Sequence, residues 1–211
     1  MNRGLLILGA GGHGRVVADV ALELGFRTIA FLDDAPQGPD VDIGIPVLGP
    51  LQLAETLLDE WPLACVAIGN NERRQRLFAS LRGAGFAMPT LVHRSAVVSR
   101  FAKLGDGVVV TAGAVINAGA SIGDACIVNT GARIDHDCVI GEASHVAPGA
   151  TLSGGVVTGV RTWLGTGCAV RQGVRIADDV LIGVGAAVVC DLASAGTYIG
   201  VPARLAPEHR Q

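Results

Sequence analysis

From Val92 onward the chain counts in sixes. Val92, Val98, Leu104, Val110 and Ile116 open a series that runs without a frame break to Val188; of its seventeen positions sixteen are aliphatic, Thr158 being the exception. The residue four places after each of them is small or aliphatic as well, from Ala96, Ala102 and Val108 through Cys126 and Cys138 to Leu192. Glycine, Asn or Asp often follows the aliphatic position directly, as at Gly105, Asn117, Gly123, Asn129, Asp135 and Gly141. Such a period suits neither an amphipathic helix, which repeats every ~3.6 residues, nor a simple strand, which repeats about every 2. It suits a parallel β-helix in which each hexad forms one flat face of a coil. The aliphatic residue fills the interior, the later small residue tucks beside a corner, and the Gly, Asn or Asp is expected to serve the tight turn.

Residues 1 to about 90 follow another grammar. "GLLILGA" is a short apolar run ended by glycine, as a buried parallel strand would be. "GRVVADVALELG" has helical spacing and a glycine stop. "FRTIAFLDD" reads as a second strand. A Pro/Gly-rich loop over 35–50 precedes an expected helix, "LQLAETLLDEW", then a third strand, "LACVAIGN", and a helix, "NERRQRLFASLRGAGF". Strand and helix alternate, so a small parallel sheet with helices on its faces is expected. The fold class is therefore mixed: an α/β unit over 1–90 and a β-helix over 91–211 with a C-terminal tail.

Composition narrows the function. Aromatics make up 4% of the chain and glycine contributes 30 residues, so the core must be built from Val, Ile, Leu and Ala. Net charge is −3, and the basic stretch "NERRQRLF" reads as the polar face of a helix, so nucleic-acid binding is not expected. The apolar run Leu5 to Leu8 is too short for a signal segment or a membrane span, which points to a soluble, cytoplasmic protein. Five cysteines occur without a CxxC pair, and no His/Cys/Asp/Glu set has metal-ligand spacing, so neither a disulfide framework nor a metal is expected.

Three motifs could carry chemistry. "GAGGHG" (9–14) places Gly9, Gly11 and Gly14 as G-x-G-x-x-G between a strand and a helix, with Asp33 and Asp34 at the end of the next strand. Alone this reads as a dinucleotide fingerprint, a weak signal by itself, or as a purely structural turn. A nicotinamide site would need a second sheet half, which is absent. "AIGNNERR" (67–74) ends the last strand at the sheet's carboxyl edge, where Gly69 and Asn71 could meet a ligand, although an Asn there also suits a helix N-cap. In "DHDCVIGEASHV" (135–146), His136 stands two residues past an interior position and so faces outward. Position alone favours a solvent-exposed histidine; its acidic neighbours favour an oriented, more basic imidazole. His145 alone reads as a corner histidine bonded to backbone.

With "INAGASIG" (116–123) and "GVPAR" (200–204), these motifs span nearly the whole chain, which resembles the hexapeptide-repeat acyltransferases. Within them it resembles the branch of sialic-acid O-acetyltransferases and bacterial nucleotide-4-amino-sugar N-acetyltransferases. The resemblance implies a left-handed β-helix of three hexads per coil and acetyl-CoA as cosubstrate. It implies His136 as general base with Asp137 raising its basicity, Asp standing where some relatives have Glu. It places acetyl-CoA near His145 and main-chain positions of Gly154, Thr166 and Val184. The nucleotide-sugar would lie on Gly11, Gly12 and His13, near Asp33, Asp34, Gly69 and Asn71. A homotrimer with sites between neighbours is also implied. The expected reaction is N-acetylation of a UDP- or GDP-linked amino-sugar. O-acetylation of a sugar such as sialic acid, and a non-catalytic β-helix binding protein, stand as alternatives.

Overall fold

The computed structural model describes residues 4–35 and 43–207. The first three residues, part of the expected 35–50 loop and the end of the C-terminal tail lie outside the described residues. β1 (Leu5–Leu8), β2 (Ile29–Leu32), β3 (Val47–Gly49) and β4 (Leu63–Val66) form a parallel sheet in the order β3-β2-β1-β4. β1, β2 and most of β4 are buried, as expected of parallel strands covered on both faces. α1 (Gly12–Glu23) packs Val17, Ala18, Val20 and Ala21 on one face. α2 (Asn71–Ala84) packs Phe78 and Leu81 on the other, and stops at Gly85, which is left-handed at φ 104°.

Two expectations need correction here. The loop after β2 contains a strand, β3, which pairs with β2 at the sheet edge and is mostly exposed. The segment from Leu51 is a 3-10 helix, Leu51–Leu57, rather than a full α-helix. It has no side-chain cap and buries only Ala54 fully, so little packing rewards a longer helix.

The second half is the β-helix. Its short strands, mostly of two residues, stack in parallel ladders: Ile134 lies between Ile116 and Leu152, and Ile140 between Ile122 and Thr158. Partners are three hexads apart, so each coil is a triangle. Three faces result: six strands from Val97–Val98 to Ala187–Val188, five from Lys103–Leu104 to Arg175–Ile176, and eight from Leu91–Val92 to Arg204–Leu205. The aliphatic track is buried from Val110 to Val188, and the track of small residues joins it in one core.

The turn assignment shifts. Residues directly after the aliphatic position are not the left-handed ones. Left-handed φ falls two places later, at every such position from Gly107 to Gly185: nine glycines, with Ala125, Asp137, Ala143, Arg161 and Asp179. The earlier glycines serve a different need, because a Cβ on Gly141 would overlap the Gly159 carbonyl of the next coil. They permit close stacking rather than unusual φ.

The two halves share cores. One face of the sheet packs with α1 against Leu91 and Val109, and the other packs with α2 against Ala125 and Ala143.

Candidate active site

His136 sits in the turn between the six-strand and five-strand faces. Its Nδ1 lies 2.8 Å from Asp137 Oδ2. An ionised carboxylate only accepts, so Nδ1 donates and Nε2 carries the free lone pair. The His136 amide donates to Asp135 Oδ1 at 2.8 Å, and Asn117 Nδ2 donates to the same oxygen at 2.9 Å. The hydrogen bond to Asp137, then the charge of Asp135, raises the His136 pKa above its ordinary 6.5. Asp137 occupies the left-handed turn position at φ 59°, which Asp tolerates better than most residues. Gly154 lies one coil beyond: a Cβ there would stand 2.5 Å from His136 Cε1 and Nε2. A Cβ on Gly119 would collide with Asp137 Oδ1. Two glycines thus make room for the pair.

His145 lies on the eight-strand face and is 7% exposed. Asn129 Nδ2 donates to its Nε2 at 3.0 Å, an orientation fixed because Asn129 Oδ1 accepts from the Thr130 amide. The His145 hydrogen therefore sits on Nδ1, a buried atom without a partner among the described residues. Its ring packs edge-on against Trp163 at 4.3 Å, and the His13 ring stands 6.4 Å away. His13 Nε2 is likewise buried and unpartnered among the described residues. Burial first, then Arg74, lowers the His13 pKa to about 4; burial, Arg74 and His13 lower that of His145 to about 3. Both rings are neutral near pH 7.

The glycine turn is built as the sequence suggests. Gly9 takes φ 109°, and Gly14 must lack a side chain because its Cβ would overlap the Gly9 carbonyl. Gly11 caps α1, and nothing occupies the space where Cβ atoms of Gly11 and Gly12 would lie. Asp33 Oδ2 accepts from the Ala10 amide at 2.7 Å and pins this turn to β2. Asp34 is half exposed and ion-paired with Arg73 at 2.6 Å. A groove runs from Gly12 along α1, lined by Arg15, Val16, Asp19, Leu22 and Ile43. The N-cap of α2 is Asn70, which accepts from the Arg73 amide. Asn71 is buried and spends its amide on the Arg161 carbonyl and on Arg74, while the Gly69 carbonyl accepts from Arg74.

The predicted residues fall into three places. His136, Asp137 and Gly154 share one corner. His13 and His145 meet where the two halves join. Thr166 and exposed Val184 stack at a third corner, between the eight-strand and six-strand faces. Within one chain these do not converge. The sequence reading missed Arg74, Asn129 and Trp163. It placed Arg74 on a polar helix face, yet Arg74 is 1% exposed. Trp163 was findable, because it pairs with His145 in the ladder one coil later. No group of three His, Cys, Asp or Glu side chains among the described residues is placed to hold a metal ion. No helix there is long and apolar enough to cross a membrane.

A triangular β-helix with an outward histidine–carboxylate pair defines a hexapeptide-repeat acyltransferase of the left-handed type. Residues 4–81 match the PglD N-terminal domain family. The acetyltransferase domain of PglB from Neisseria gonorrhoeae FA1090 is 42% identical and superposes with a TM-score of 0.93, covering 97% of this chain and 100% of that one. PerB from Caulobacter crescentus, solved with CoA and GDP-perosamine, is 42% identical with a TM-score of 0.91, covering 97% of each chain. UDP-N-acetylbacillosamine N-acetyltransferase of Bacillus subtilis (strain 168) is 36% identical over 115 residues, so the match spans about half of that relative's length, 52%. The chain belongs to the nucleotide-amino-sugar N-acetyltransferases of the hexapeptide-repeat family.

Proposed function

We propose that the protein transfers acetyl from acetyl-CoA to the 4-amino group of a UDP- or GDP-linked deoxy-sugar. Residues 1–90 bind the nucleotide-sugar and residues 91–211 carry the transfer. The diphosphate meets the amides of Gly11, Gly12 and His13 at the start of α1, where a helix N-terminus favours anions. Asp33, Asp34, Gly69 and Asn71 border that site, Asp33 and Asn71 through the bonds that shape it. The amine attacks the thioester carbonyl, His136 Nε2 takes the proton, and Asp137 stabilises the imidazolium. The C–S bond breaks and the coenzyme thiolate leaves. His145, with its unpartnered Nδ1 hydrogen, and the main chain at Gly154, Thr166 and Val184 hold the coenzyme. These coenzyme positions lie at different corners of one chain, which supports a homotrimer whose sites form between neighbours. Acetyl-CoA and nucleotide-sugars are cytoplasmic metabolites, so the protein works there, in polysaccharide or glycan synthesis.

The observation that carries this reading is the 2.8 Å His136–Asp137 contact, with Nε2 left free on an outward turn. The test is thiol release from acetyl-CoA with a panel of UDP- and GDP-4-amino-sugars and free sialic acid. One amino-sugar should turn over, and His136→Ala should lower kcat about a hundredfold or more. Turnover only with a hydroxyl acceptor would make the protein an O-acetyltransferase. No thiol release with any acceptor would make it a binding protein.

A further inference from the structure

Among the described residues Arg74 is the largest fully buried side chain. Among the described residues it faces no carboxylate. Instead its guanidinium donates to five carbonyls and one amide oxygen. Nη1 reaches the Ile68 and Gly69 carbonyls at 2.9 and 3.1 Å, in the loop that ends β4. Nη2 reaches Asn71 Oδ1 at 2.7 Å. Nε reaches the Ala125 carbonyl at 2.8 Å, and Nη2 reaches Ala143 and Ser144 at 2.6 and 3.3 Å. The last three belong to successive coils of the β-helix. Ala125 and Ala143 both hold left-handed φ, which for alanine is strained.

Burying a cation against carbonyls alone is an expensive way to glue two surfaces. What it supplies is geometry: one planar fork fixes the sheet's carboxyl edge, the start of α2 and two coils at once. His13, from the glycine turn, and His145, from the β-helix, meet beside this joint with their rings 6.4 Å apart. The guanidinium also disfavours protonation of both rings.

We infer that Arg74 is a positioning residue for the transfer, fixing the nucleotide-sugar unit on the β-helix so that the amine meets the thioester in line. It touches neither reacting group. This inference rests on the proposed function, and the alignment is what kcat at saturating substrate reads.

The test uses Arg74→Met, which fills the volume without charge, and Arg74→Lys, which keeps charge but loses the fork. In the intact protein, Kd for acetyl-CoA should stay within about threefold of wild type, because Gly154, Thr166 and Val184 lie away from the joint, and kcat is read at saturating nucleotide-amino-sugar, because Gly69 and Asn71 lose their bonds to Arg74. The kcat should fall about thirtyfold or more in both variants, since misaligned reactants lose proximity. Unchanged kcat in a folded Arg74→Met protein would overturn the inference. So would a loss of kcat that only tracks the folded fraction, measured by thermal unfolding.

A second readout is independent of activity. Cys190 is the one exposed cysteine. Spin labels on Cys190 and on Asp19→Cys of α1, in labelled chains diluted with unlabelled ones, report the joint. Their distance distribution should be narrow with Arg74 and broader in Arg74→Met; equal widths would also overturn the inference. If wild type acetylated no amino-sugar while the widths still differed, the function reading would fail and the joint would stand.

Discussion

A histidine on an open turn becomes a useful base only if its proton affinity is set for it. Here Asp137 takes the Nδ1 hydrogen and Asp135 adds its charge, so the free Nε2 is more basic than an unperturbed imidazole. In the proposed role His136 works unprotonated, so the acid limb of the kcat/KM profile should lie above pH 6.5, the ordinary imidazole value. Asp137→Asn removes the charge that favours the imidazolium. The limb should then move to lower pH, and the plateau should fall about ten- to a hundredfold. A pH–rate profile of both proteins checks this; an unmoved limb would detach Asp137 from the proton. The pair was legible in the sequence because it interrupts an aliphatic repeat with three charged or titratable residues in a row. His145 stands out in the sequence, but its protonation state does not. Its neutral tautomer depends on Asn129 from the coil below and on burial against His13 from the other half, and neither neighbour is near it in sequence.

At the level of the coil, one rule explains most of the glycines and its exceptions mark the surfaces that matter. The left-handed turn position takes glycine unless a side chain is needed there. The non-glycine cases are Asp137 beside His136 and Ala125, Ala143, Arg161 and Asp179 along the corner that meets α2. Ala125 and Ala143 pack into the core shared with α2, Arg161 bonds Gln75, and Asp179 holds Arg161. The hexad count therefore exposes the domain seam in the sequence once the turn is assigned two residues later than the first glycine signal suggests. Stacking sets a second rule, that a side chain on one coil needs space from the next. Gly154 gives that space to His136. Its φ is not left-handed, so Gly154→Ala adds no backbone strain and only pushes the ring. The melting temperature should stay within a few degrees of wild type while kcat falls at least about tenfold, since a displaced base loses its line to the amine. Thermal unfolding beside the thiol assay checks both halves of that outcome; full activity would show that the ring has room to spare.

For the whole molecule, the separation of the predicted groups is itself informative. His136 and Gly154 lie at one corner of the triangle, while Thr166 and Val184 lie at another, across the six-strand face. The periodicity specified each residue's corner but not which corners meet, because meeting is a property of the assembly and not of one coil. A threefold arrangement would bring the His136 corner of one chain against the Val184 corner of the next, and light scattering should then give three times the 21.5 kDa chain mass. Mixing two inactive proteins decides whether the site is shared. His136→Ala lacks the base, and Val184→Arg, at a position 80% exposed, should block the coenzyme without disturbing the core. In trimers reassembled from equal parts, a site works only where an intact His136 faces an intact Val184 corner on its neighbour. Random assembly meets that condition at about a quarter of the sites, so the mixture should regain about a quarter of wild-type activity although each parent has almost none. A site contained within one chain would give no recovery at any ratio, and would require the coenzyme to lie along a different surface from the one traced by Thr166 and Val184.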